Sequence, residues 1–184
     1  AAESYTYYNS LKQLARTYNA PYLFETNVGA GLPIIDTLNH LITSGDKVHS
    51  IQAILSGSLN FVFNEFSNKT TFREVVQQAM NAGFTEPDPK IDLSGVDVAR
   101  KILILARESG MQMELSDIDN DSFLPKACLE TKDNESFLAS LDEHNDHFTK
   151  LYASAKKNNS RLKYVAELVD GKAKVGLKEI PASH

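Results

Sequence analysis

The chain has 184 residues, 42% apolar and 23% charged, the make-up of an ordinary globular protein large enough to bury one sizeable core. A net charge of −5 leaves no basic field to collect phosphates, so nucleic acid is not an expected partner, and no apolar run is long enough for a bilayer span. Cys128 is the single cysteine, which excludes an internal disulfide, and no charged-then-apolar leader opens the chain; the cytoplasm is the expected compartment.

The opening AAESYTYYNSLKQLARTY runs straight into a helix over residues 7–18, with Tyr8, Leu11, Leu14 and Ala15 on one face. Residues 22–28 read as a strand that meets the turn GAGLP. Pro33 then starts a helix with Ile34, Ile35, Leu38, Leu41 and Ile42 on one face, and Gly45 stops it. Residues 48–55 alternate like a half-buried strand and deliver Ser56-Gly57-Ser58 to the next helix. Thr71 and Glu74 have capping-box spacing and open a helix that ends at Gly83. A loop with Pro87 and Pro89 follows, then a helix over 94–108, a loose strand and loop over 114–123, and helices over 135–141 and 142–158. Asp170-Gly171 joins strands 161–169 and 172–179 as a tight hairpin, and IPASH follows directly. The predicted class is α+β, an open, largely antiparallel sheet with helices packed on one face. Both ends read as cuts through something longer.

Chemistry concentrates in residues 86–101, which hold Glu86, Asp88, Lys90, Asp92, Asp97, Arg100 and Lys101. The prolines put Glu86 and Asp88 on an extended turn. Ser94 can cap the following helix, with Asp97 in its first turn, where the dipole favours an anion, and Lys101 four residues on along the same face. Two readings stand side by side. An Asp–Lys pair at this spacing is ordinarily a solvated pair worth about 0.2–0.5 kcal/mol. Alternatively, a stiff acidic loop ending at a capped helix makes a cup for a small zwitterion, with carboxylates for an amino group and a lysine for an oxygen.

Residues 83–110, GFTEPDPKIDLSGVDVARKILILARESG, resemble the signature of the homoserine dehydrogenases, and FETNVGAGLPIIDTLNHLITSGD and ILSGSLNFVFNEF resemble two further blocks of that family in the same order. The version here is most similar to the enzymes fused to aspartate kinase and to the fungal ones. The resemblance implies a substrate-binding, catalytic and dimerisation domain over residues 1–184, of the glyceraldehyde-3-phosphate dehydrogenase-like C-terminal type. It implies NAD(P)H-dependent reduction of L-aspartate 4-semialdehyde to L-homoserine, on the route to threonine and methionine, and a homodimer formed through the sheet. By position, Glu86 and Asp92 correspond to carboxylates that bind the substrate's amino and hydroxyl ends, and Ser58 to a hydroxyl that touches it. Lys101 would stabilise or protonate the developing alkoxide, with Asp97 orienting it. Glu25 and the carbonyls of Val28, Ala30 and Leu32 correspond to a sodium site. Phe84 replaces a tyrosine common in the family, and Ile91 replaces an aspartate. The resemblance places a further catalytic lysine and the NADP- or NAD-binding domain ahead of Ala1, and a glycine-rich segment beyond His184. This chain alone is expected to be inactive.

Other features read as structure. Gly29-x-Gly31 lacks the third glycine of a dinucleotide fingerprint, since Ile34 stands there, leaving a tight turn. His144 and His147 lack a further metal ligand and read as a solvated helix face, and Cys128 has no basic neighbour nearer than Lys126 and reads as inert. Two rivals remain: an oligomerisation or binding module with no active site of its own, and a related dehydrogenase of another amino or hydroxy acid.

Overall fold

A computed structural model describes residues 1–183; His184, the last residue of the predicted domain, lies outside them. The chain divides into two compact units, one of Ala1–Leu55, Val98–Asn120 and Ala166–Val175, the other of Ser56–Asp97, Asp121–Val165 and Gly176–His184.

In the first unit, Ser4 caps helix α1 (Tyr5–Thr17) by accepting from the Tyr7 N–H. Residues 22–28 do not form the predicted strand. The Tyr22 and Phe24 rings pack on each other with centroids 4.9 Å apart, and α2 (Thr26–Gly29) is a single helical turn. The Glu25 carboxylate then accepts from the N–H groups of Ile35 and Asp36, at 2.6 and 2.7 Å, which ties this loop to the start of α3 (Ile34–Thr43). Local side-chain bonding here outcompetes the extended form that the apolar residues suggest. Strand β1 (Ser50–Ala53) follows.

The second unit begins with α4 (Gly57–Glu65) and α5 (Phe72–Asn81), the latter opened by the predicted capping box between Thr71 and Glu74. The helix read over 94–108 is α7 (Val96–Glu108), which passes into the first unit at Val98, and the loop ahead of it holds a further short helix, α6 (Pro89–Leu93). After a short strand β2 (Asp119–Asp121) come α8 (Lys126–Leu129), α9 (Asn134–Glu143) and α10 (Asn145–Lys157). A phenylalanine cluster holds this unit together: Phe72 stacks on Phe148 at 4.0 Å, and Phe63, Phe66 and Phe123 meet them mostly edge-on.

Strands β3 (Ser160–Val169) and β4 (Lys172–Pro181) form the hairpin, with Asp170 at φ 49° and Gly171 at φ 76°, the two positive values that a type I′ turn needs. The sheet order is β1-β3-β4-β2, and β1 runs antiparallel to β3 from Ser50 opposite Val169 to Ala53 opposite Ala166. Leu162, Tyr164, Ala166 and Leu168 alternate along β3 and are buried, the expected period of two. The architecture is α+β with a largely antiparallel open sheet, as the sequence indicates.

Candidate active site

The turn after β1 puts Ser56 at the N-cap of α4, where its Oγ accepts from the Leu59 N–H at 3.1 Å. Two residues on, Ser58 is buried, its Oγ 2.9 Å from that of Ser56, and it donates to Asp92 Oδ1 at 2.8 Å. The other Asp92 oxygen accepts from the Glu86 backbone N–H at 2.9 Å. Ser58, Glu86 and Asp92, expected together, are therefore brought together in the second unit. They do not contribute alike. Asp92 supplies its carboxylate, whereas Glu86 contributes its backbone and leaves its side chain exposed.

The loop owes its shape to bonds within it and to residues 131–134. Gly83, at φ 73°, ends α5. The Pro87 carbonyl accepts from Asn134 Nδ2 at 2.8 Å, and Lys90 Nζ donates to the Thr131 carbonyl. Asp88 caps α6 by accepting from the Lys90 N–H at 3.0 Å, with Pro89 in the first helical position, where a missing N–H costs nothing. Phe84 is 52% exposed and its ring lies 4.7 Å from that of Phe61. The Thr85 hydroxyl, inside the signature, is buried with no hydrogen-bond partner among the described residues.

Gly95, at φ 75°, separates α6 from α7, and a Cβ there would sit 1.9 Å from the Tyr164 hydroxyl, so only glycine fits. Ser94 closes α6 rather than simply capping α7: its hydroxyl donates to the Ile91 carbonyl at 2.9 Å and accepts weakly from the Val96 N–H at 3.4 Å. Asp97 lies in the first turn of α7. Lys101, one turn further, is half-buried and donates from Nζ to the Leu55 carbonyl at 2.9 Å.

The GAGLP segment, where sodium is expected and a dinucleotide fingerprint is not, is engaged by its own backbone. Both Glu25 oxygens are taken by the start of α3, and the Leu32 carbonyl accepts from the Ile34 N–H at 2.9 Å. In the set of Glu25, Val28, Ala30 and Leu32, the Glu25 carboxylate and the Leu32 carbonyl thus already accept from backbone donors. Burial acts to raise the Glu25 pKa, but N–H donation from Ile35, Asp36 and Ile34 outweighs it and holds the carboxyl below its ordinary range. A Cβ on Gly29 would lie 2.4 Å from Ile34 Cδ1, so this glycine makes room for a side chain and not for a phosphate.

His144 Nδ1 lies 2.9 Å from the Ser140 carbonyl and His147 Nε2 lies 2.8 Å from that of Phe123, and no metal-holding group of His, Cys, Asp or Glu occurs among the described residues. Cys128 is buried, and that burial pushes its thiol pKa up. Cavities of 330 and 400 Å³ in the second unit are lined by other residues, such as Tyr152 and Arg161 in one and Leu151 and Leu177 in the other. Sequence reasoning missed Ser56 and Thr85. A serine ahead of a helix is an ordinary cap in sequence, and nothing there marks an orphaned threonine.

Residues 33–184 match the homoserine dehydrogenase family. The chain belongs to that family. A bifunctional aspartokinase/homoserine dehydrogenase of Haemophilus influenzae is 45% identical over 171 residues, which are 93% of this chain and 21% of that protein. The chain thus spans about a fifth of the length of the curated homoserine dehydrogenases it matches. Among solved structures, a Candida auris protein of unknown function superposes with a TM-score of 0.82 at 35% identity, covering 95% of this chain and 52% of that one. A hyperthermophilic archaeal homoserine dehydrogenase in complex with NADPH superposes with a TM-score of 0.68 at 24% identity, covering 97% and 46%, a likeness of fold.

Proposed function

We propose that this chain is the substrate-binding, catalytic and dimerisation part of a longer homoserine dehydrogenase that interconverts L-aspartate 4-semialdehyde and L-homoserine. The observation that carries the reading is the Asp92 carboxylate, held between the Ser58 hydroxyl and the Glu86 N–H inside the family's signature stretch. A carboxylate that accepts two hydrogen bonds still has lone pairs to receive an ammonium or a hydroxyl. Glu86, exposed on the same loop, adds a second carboxylate for the amino end of the substrate.

Lys101, whose ammonium donates to the Leu55 carbonyl, would by the family resemblance meet the carbonyl oxygen as it becomes an alkoxide. Asp97, on the same face of α7, orients that ammonium and a water. NADPH or NADH supplies the hydride from sequence outside this chain, and residues 1–184 are inactive without it. The β1–β3 pairing leaves Ser50, Gln52, Glu167 and Val169 along one face, with Gln52 Nε2 donating to Glu167 at 2.8 Å, and that face would form the homodimer. The protein would work in the cytoplasm.

A substrate panel on the full-length protein tests the reading. Nicotinamide reduction should proceed with L-homoserine and be far slower with serine, threonine or a simple 2-hydroxy acid. Turnover of another hydroxy or amino acid in preference to homoserine would overturn it.

A further inference from the structure

Two ties hold the loop that carries Asp92 to the connection between α8 and α9. Asn134 Nδ2 donates to the Pro87 carbonyl at 2.8 Å, one residue beyond the Glu86 N–H that holds Asp92 Oδ2. Lys90, two residues before Asp92 in α6, donates from Nζ to the Thr131 carbonyl. The connection is itself firm. The Thr131 hydroxyl donates to the Cys128 carbonyl at 2.8 Å, Asp133 caps α9 by accepting from the Ser136 N–H at 2.8 Å, and Phe137, Leu138 and Leu141 bury one face of α9. Ser136 donates its N–H and its hydroxyl to Asp133 and holds that carboxyl below its ordinary range, and the Lys90 ammonium adds to the pull.

Helix α6 has only five residues, little more than one turn, and a helix that short does not hold its own direction. Pro89 and Leu93 are buried and fix one side of it, and the Lys90 tie fixes another. Each Asp92 oxygen already accepts one hydrogen bond, so its remaining lone pairs point wherever α6 and the turn at residues 86–87 are held. We propose that Lys90 and Asn134 are positioning residues for substrate binding: through the Thr131 and Pro87 carbonyls they set the direction in which Asp92 meets an amino-acid substrate, without touching it. The inference rests on the reading under Proposed function and extends it to the α8–α9 connection, which lies outside the signature stretch of residues 83–110.

Steady-state kinetics of homoserine oxidation by the full-length protein test it, with a urea midpoint for each variant. Lys90→Met removes the donor and keeps a long side chain, while Lys90→Arg keeps a charged donor. Lys90→Met should raise KM about five- to tenfold with kcat within about twofold, because one hydrogen bond from a charged group is lost. Lys90→Arg should stay within about twofold of wild type in both. Asn134→Asp keeps the shape and suits the first turn of α9, where the dipole favours an acid, but it cannot donate to the Pro87 carbonyl. It should keep the urea midpoint and raise KM about threefold. An added carboxylate attracts an ammonium, so that rise marks the lost donor and not the charge. In an Asp92→Asn background, Lys90→Met should raise KM no further, since Lys90 acts only through Asp92. An unchanged KM in Lys90→Met or Asn134→Asp, a loss of kcat at constant KM, or additive effects with Asp92→Asn would each overturn the assignment. A wild-type protein that does not oxidise homoserine would instead sink the reading on which the inference rests.

Discussion

Asp92, Thr85 and Glu25 show three different fates for polar groups in one family signature and its neighbourhood. Asp92 is held by donors from two parts of its unit, and the resemblance alone identified it. Thr85 has a buried hydroxyl that bonds to nothing described, and an unmet buried hydroxyl costs about 1–3 kcal/mol. Thr85→Val removes that hydroxyl at nearly constant shape and should leave the protein as stable or up to about 1 kcal/mol more stable in urea denaturation. A clear loss of stability would mean that the hydroxyl has a partner. Glu25 carries a pH signature. Its folded pKa lies below the unfolded value of about 4.3, so its contribution is complete above that value and is lost as pH falls through the lower folded one. Wild type should exceed Glu25→Gln in Tm at neutral pH, and the gap should close below about pH 4. A gap that stays constant down to pH 3 would contradict the capping role. None of this was legible at Glu25, because its partners Ile35 and Asp36 lie ten and eleven residues away and only the fold brings them near.

Among the elements, those with local signals were read correctly and those decided by distant contacts were not. The Thr71–Glu74 capping box and the Asp170-Gly171 turn each act within four residues, and both stand where the sequence puts them. Residues 22–28 carry a strand-like pattern but gain no strand partner, and the Glu25 cap turns them into a helical turn. The break between α6 and α7 depends on Gly95, whose reason is the Tyr164 hydroxyl nearly seventy residues on. Gly95→Ala combines a left-handed backbone cost of about 1–2 kcal/mol with overpacking of about 1–3 kcal/mol. It should destabilise the protein by about 3 kcal/mol, measured by chemical denaturation. A change below about 1 kcal/mol would show that Tyr164 yields easily.

At the level of the molecule, the class of the fold followed from alternating strands, a hairpin and intervening helices, whereas the division into two units did not, since each unit is assembled from three separated segments. The family was legible for a related reason. Residues 83–110 form a contiguous stretch, and most of the proposed substrate contacts fall in it or in the turn at Ser56-Gly57-Ser58. The measurement closest to the heart of this assignment is the steady-state kinetics of the full-length protein with Asp92→Asn. An amide offers one acceptor and one donor where Ser58 and Glu86 both donate, so the site loses a hydrogen bond and a charge together. KM for L-homoserine should rise at least about tenfold, corresponding to about 1.4 kcal/mol or more of lost binding. A homoserine KM equal to that of the wild type would show that Asp92 only braces the loop and that the substrate binds elsewhere.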